Sequence, residues 1–217
     1  MLRQAFPDKI FISSGALRLM KAMIGKKLGM TRIFSDKGAV TPVTLIEIGE
    51  NVVTQIKTDD RDGYQATQIG MAEKCKINQP LSGHLAQAKI KTKTMKEFAL
   101  SDTVVGDKID LSQFQKGELI TVQAISKGKG FAGTVKRHNF ATGPKTHGSN
   151  NYRQPGSIGS AYPQHVIKGR KMAGHMGYDK TTVKNLKIAH VDMENKIIMI
   201  QGAIPGPNKS TVYIWSK

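Results

Sequence analysis

Residues 127–184 set the tightest limit on how this chain can fold. These 58 residues hold eleven Lys or Arg, one acid (Asp179) and ten glycines. They offer almost no alternating or helical run of apolar residues, so the segment cannot fold by burying itself. A loop of this length inside a compact domain needs something outside the domain to order it. An RNA partner meets that need: Lys and Arg neutralise phosphates, glycines let the backbone approach closely, and rings such as Phe131, His138, Phe140 and Tyr152 can stack on unpaired bases. The competing reading is a solvated basic linker, which the spread of aromatic residues and prolines through the segment disfavours.

The rest of the composition agrees. The 217 residues carry 33 Lys and Arg against 16 Asp and Glu, a formal charge of +17, of which the segment supplies +10. Such an excess repels itself unless a polyanion screens it. Nucleic acid is favoured over a membrane surface, because no basic amphipathic helix with bulky apolar residues opposite is apparent. The one cysteine, Cys75, cannot make an internal disulfide, and a reduced compartment is the expectation. No apolar run approaches the roughly 20 residues of a membrane helix. Residues 1–22 have four bases and one acid with no long apolar core, which excludes a secretory signal. They read as a short tail ahead of Met23, with a weak organellar presequence as the alternative.

Outside the basic segment the chain reads as short strands. Val43, Leu45 and Ile48 precede Gly49-Glu50-Asn51, and Val52 to Ile56 follow, the pattern of a hairpin. Asp62-Gly63 opens a strand from Tyr64 to Met71, Leu81 to Ala88 reads as a short helix, and Glu118 to Ile125 returns to a strand. Leu186–Val191 and Lys196–Ile200 form a second hairpin across Met193-Glu194-Asn195, and Ser210 to Trp215 is the last strand. Strands at this spacing predict a mainly β chain built on a small antiparallel barrel. The expected parts are a barrel from 23–74, 111–126 and 185–217, a mixed α+β insertion over 75–110, and an extended basic loop over 127–184.

Three catalytic or ligand-binding motifs fail on context. Gly128-Lys129-Gly130-Phe131-Ala132-Gly133 has GxGxxG spacing, but no amphipathic helix follows and no Asp or Glu occurs between Glu118 and Asp179 to hold a ribose. His138, His147, His165 and His175 are irregularly spaced among cations without a cysteine or carboxylate, a poor metal set. No acid stands near them to orient a nucleophilic site. Neither an enzyme, a cofactor nor a metal is expected. Met172 and Met176, set among Lys168, Arg170 and Lys171, suit packing against RNA or a neighbouring protein better than a core.

Several segments resemble, in order, the bacterial type of the large-subunit ribosomal protein L three family. They are MIGKKLGMTRIF at Met23–Phe34, SKGKGFAGTVKR at Ser126–Arg137, the HNF that follows, His147-Gly148, PGSIG at Pro155–Gly159, KGRKMAGHMG at Lys168–Gly177, VKNL at Val183–Leu186 and GAIPG at Gly202–Gly206. The resemblance runs from about Met23 to Trp215. It implies a translation-factor-like β-barrel with an inserted α+β element, and a long extension that penetrates large-subunit rRNA toward the peptidyl transferase centre. It also implies a role early in subunit assembly, in the cytoplasmic ribosome or that of an organelle of bacterial descent, beside neighbouring large-subunit proteins.

The residues expected to contact RNA are Lys127, Lys129, Lys136, Arg137, Lys145, Arg153, Lys168, Arg170 and Lys171 for phosphate, with Phe131, His138 and Phe140 for stacking and His147 and His175 beside them. No membrane, small-molecule substrate or homo-oligomer is expected. The chain departs from the family pattern in three places. Thr121 stands where Asp or Asn is common. Ser160 occupies the position of a methylated glutamine and cannot take that modification. The tip, SAYPQHVIKG at Ser160–Gly169, is altered and slightly shortened. The rival reading is a soluble barrel that binds single-stranded nucleic acid outside the ribosome, which predicts aromatic platforms on the strands.

Overall fold

A computed structural model describes residues 21–35, 38–73, 75–100 and 103–216. The expected N-terminal tail or presequence, apart from its last two residues, lies outside them. Twelve strands follow in chain order: β1 (Ala22–Phe34), β2 (Val40–Ile48), β3 (Asn51–Lys57), β4 (Ala66–Met71), β5 (Met95–Phe98), β6 (Lys108–Ile109), β7 (Leu119–Ile125), β8 (Phe131–Ala132), β9 (Gly174–His175), β10 (Lys180–Asp192), β11 (Ile197–Gln201) and β12 (Thr211–Ser216). The helices are short: α1 (Asp59–Asp62), α2 (Gln79–His84), α3 (Thr134–His138) and a 3-10 turn at Leu111–Gln113. The chain is thus mainly β.

Six strands pair in a closed ring, β1-β12-β7-β10-β11-β2, every pair antiparallel. Alternation explains the interior. Ile120, Val122 and Ala124 on β7, Ile198 and Ile200 on β11, and Val212 and Ile214 on β12 point to one side of the pleat and are buried with Met23 and Phe114. Apart from Ala124, each such side chain contributes about 1.5–3 kcal/mol by leaving water. Met23 faces this core while its neighbours Ala22 and Ile24 face a second one with Ile69, Met71 and Phe98. Strand β1 thus pairs within the ring while its other face packs on a four-stranded sheet, β5-β4-β3-β6.

The hairpin expected across Gly49-Glu50-Asn51 does not form. Strand β2 stays in the ring and β3 crosses into the second sheet, pairing with β4 and β6. The buried Asn51 side chain explains the crossing. Its Oδ1 accepts from the Ile24 amide at 2.9 Å, and its Nδ2 donates to the Ile24 and Gly49 carbonyls at 3.0 and 2.8 Å. A side-chain amide thus fastens the chain to β1 where a hairpin turn was expected. The strands at 51–71 accordingly sit with the insertion, not in the ring, and the inserted sheet runs from Asn51 to Ile109.

Two smaller differences follow from local backbone. Strand β4 starts at Ala66, because Gly63, in the left-handed region at φ 77, first caps α1. Helix α2 covers Gln79–His84, with Pro80 in its first turn, and gives way to turns that end at Lys89. The second hairpin is formed as expected. Asp192 Oδ1 accepts from the Glu194 and Asn195 amides at 3.1 Å each, and Asp192 pairs with Ile197 across the turn.

Lys96 joins the sheet to the ring. Its ammonium lies 4.4 Å from the Tyr213 ring centre, 5.2 Å from Trp215 and 5.7 Å from Phe98, and it donates to the Gln123 side-chain carbonyl. The rings attract the cation. Burial, with the nearby Lys180 charge adding to it, nevertheless pushes its pKa down from 10.5 to about 8. Between those two values the unfolded chain holds a proton that the folded one has shed, so this group makes stability rise with pH. Wild type is expected to gain in thermal midpoint relative to Lys96→Met between pH 8 and pH 10 at constant ionic strength. A constant gap across that range would contradict the assignment.

A second lysine, this one buried, secures the end of the ring from which the basic segment leaves. Lys27 is 6% exposed, and its Nζ donates to the carbonyls of Ile204 and Gly206, each at 2.9 Å. Its carbonyl accepts from the Lys209 amide at 2.6 Å. Burial and the Lys127 charge hold its pKa below the usual lysine value. Lys27→Met strands two carbonyls and is expected to cost about 2–4 kcal/mol in urea unfolding. A loss within about 0.5 kcal/mol, the ordinary surface value, would remove it from this role.

Candidate nucleic-acid interface

The basic loop leaves the ring after β7 and returns as β10, so its two limbs start side by side. At the root the Ser126 amide donates to the Asp179 carbonyl at 2.9 Å, and the Asp179 amide donates back to Ser126 Oγ at 3.1 Å. The Lys129 amide meets the Met176 carbonyl at 2.8 Å, and β8 pairs with β9, setting Phe131 opposite His175. Gly177 crosses against Lys127 so closely that a Cβ there would lie 2.3 Å from the Lys127 carbonyl oxygen. Of the expected loop, residues Lys180–Lys184 already belong to β10.

Farther out the limbs are held by side chains on backbone carbonyls. Arg137 donates to the Met172 carbonyl at 2.7 Å, and His138 Nε2 lies 3.0 Å from the same oxygen. The Arg170 guanidinium reaches the Ser157 carbonyl at 2.8 Å. These rungs consume two of the eleven cations. Six of the others, Lys129, Lys136, Lys145, Arg153, Lys168 and Lys171, are exposed and make no side-chain hydrogen bond among the described residues. The four ion pairs among those residues all lie elsewhere, at Lys21–Glu118, Lys26–Glu73, Lys57–Asp62 and Lys108–Glu50.

The loop has no core. Of its described residues 127–184, only Ala132 and Thr134 are buried. Lys127, Lys129, Arg137, His138 and His175 line one hollow of about 490 Å³ at the root, so five residues singled out from the sequence come together. Lys136 sits beside Arg137 on α3. Lys145, His147, Arg153, Lys168 and Lys171 are spread along the limbs and share no hollow with them. Among the three rings expected to stack, Phe131 is 81% exposed, whereas His138 and Phe140 are half-buried with centroids 6.0 Å apart.

Sequence reasoning overlooked other exposed groups. Tyr162 and Tyr178 are 86% and 70% exposed on the same loop. In the insertion, Lys89, Lys91 and Lys93 are exposed while Ile90 is half-buried and Thr92 fully buried. That alternation was present in KIKTKT and marks a second basic row. Among the described residues no group of three His, Cys, Asp or Glu could hold a metal ion, and no helix is long and apolar enough to cross a membrane.

An extended, cation-rich loop with a single acid, Asp179, and no ion pair among its described residues suits a polyanion, and comparison with known proteins gives the same direction. The family model for Ribosomal protein L3 matches residues 83–196. A large ribosomal subunit protein uL3 from Alkaliphilus metalliredigens is 48% identical over 202 residues, covering 90% of this chain and 96% of that protein. The uL3 of Finegoldia magna is 49% identical over 201 residues, 89% and 95% of the two chains, and that of Cupriavidus metallidurans is 45% identical over 202, 88% and 94%. The match extends over nearly the whole of each relative and includes the loop whose cations are left unpaired, so the chain belongs to the ribosomal protein L3 family.

Proposed function

We propose that this chain is a structural constituent of the large ribosomal subunit that binds its rRNA directly. The family is one of structural, non-enzymatic ribosome components, and the cytoplasmic ribosome is the proposed location. The observation that carries the RNA reading is the loop's charge: eleven cations and one acid, with no ion pair among the described residues. The ring is the translation-factor-like barrel, docked on the subunit surface. The loop runs into rRNA toward the peptidyl transferase centre. Lys127, Lys129, Lys136, Lys145, Arg153, Lys168 and Lys171 neutralise phosphates, Phe131 stacks on a base, and Arg137, Arg170, His138 and His175 shape the root and limbs that present them. The loop holds together RNA segments that repel one another, and this is its contribution to early assembly. Neighbouring large-subunit proteins flank the barrel.

A transient single-stranded binder would present aromatic faces on its strands. The ring supports that poorly, because Tyr213 and Trp215 are half-buried and Lys96 occupies a face of each. A tagged copy run through a sucrose gradient tests the proposal. It should travel with the large subunit, and a chain lacking 134–173 should be depleted there. A full-length chain that stays at the top of the gradient would refute it.

A further inference from the structure

A cleft of about 510 Å³ opens where the ring, the inserted sheet and the loop root meet, and of the residues expected from the sequence to contact RNA it contains only Lys127. Its size is that of a small-ligand site. Met95, Ile125, Pro207 and Tyr213 give it apolar walls, and Ile125 is 44% exposed. Lys93 and Lys127 stand at it, no acid lines it, and the hydroxyls of Thr94 and Thr211 make no hydrogen bond among the described residues.

Tyr178 is the distinctive member. It is 70% exposed and held at φ 59, a region bulky residues rarely occupy. Such a conformation persists where the surroundings over-determine it. Here the neighbouring Gly177, at φ 75, is locked against the Lys127 carbonyl, so the backbone crossing sets where the ring stands. From Lys93 the exposed row continues through Lys91 to Lys89. It is pinned to the inserted sheet by the Glu73 amide on the Lys91 carbonyl at 2.9 Å and the Met71 amide on the Thr94 carbonyl at 3.2 Å. A flat ring beside an apolar hollow, with cations at its edge and a further basic row leading away, has the charge and shape of a single-strand site.

We propose that this cleft takes one unpaired nucleotide of an RNA strand, its base on Tyr178 and its flanking phosphates on Lys93 and Lys127. The proposal rests on the RNA reading above and extends the interface from the loop to the insertion. Its test is ultraviolet crosslinking of the full chain on a large-subunit rRNA transcript, with adducts mapped by mass spectrometry. An adduct at Tyr178 or Thr94-Met95 on a single unpaired nucleotide is expected. Tyr178→Ala should reduce it about tenfold and Tyr178→Phe should retain it, with thermal midpoints unchanged in both. Adducts along the loop but none in the cleft would overturn this proposal and leave the RNA reading standing, as would a protein neighbour found in the cleft in intact subunits. A chain that does not bind the transcript would overturn both.

Discussion

Replacing Lys129, Lys136, Lys145, Arg153, Lys168 and Lys171 with glutamine is expected to lower the slope of log affinity against log salt, measured on large-subunit rRNA, by about 4 to 5. Each phosphate neutralised releases counterions, at about 0.7 per contact on single strands and about 0.9 on duplex. Wild type should then lose roughly 500-fold more affinity than the variant between 50 and 200 mM salt. These six make no side-chain hydrogen bond among the described residues, so their removal leaves the loop's own rungs in place. Arg137 and Arg170 are kept because they hold the limbs to the Met172 and Ser157 carbonyls. An unchanged slope would mean that these cations do not meet phosphate.

Gly177→Val should have the other large effect, by geometry and not by charge. The new Cβ would meet the Lys127 carbonyl oxygen at 2.3 Å, and a β-branched residue would be forced to φ 75. Left-handed strain of about 1–2 kcal/mol and overpacking of about 1–3 kcal/mol add to roughly 3 kcal/mol against closure of the root. Spent on disordering the limbs, that is about a hundredfold in RNA affinity. The ring should keep its unfolding midpoint, because its core lies in other strands. A variant that binds as wild type does would show that the root crossing is dispensable; one that unfolds globally would show that loop and ring are not separable.

What could be read from the residues divides along physical lines. The second hairpin was legible because Ile188, Ile198 and Ile200 alternate with less buried neighbours and Asp192 ties its own turn, all within a short stretch. The first was misread because the turn-like Gly49-Glu50-Asn51 is a crossing. The deciding contact, Asn51 to Ile24, spans 27 residues, and a lone Asn carries no mark of a distant partner. Composition announced the loop but not its rungs, since Met172 and Ser157 offer only backbone carbonyls, which every residue has. The lysine row at 89–93 was visible as an alternation and was passed over in a segment read only as a mixed α+β insertion. The cleft beside Tyr178 draws on four stretches of chain and needed the fold.

The central claim is that RNA supplies the order that this loop cannot supply itself. Hydrogen–deuterium exchange on the free chain and on the chain within the large subunit tests it most directly. In the free chain, amides between Gly133 and Ala173 should exchange near the rate of unstructured peptide, while β1, β7 and β12 stay protected. In the subunit the same loop amides should become strongly protected with little change in the ring. Loop protection that is already high in the free chain, or that does not rise in the subunit, would contradict the account.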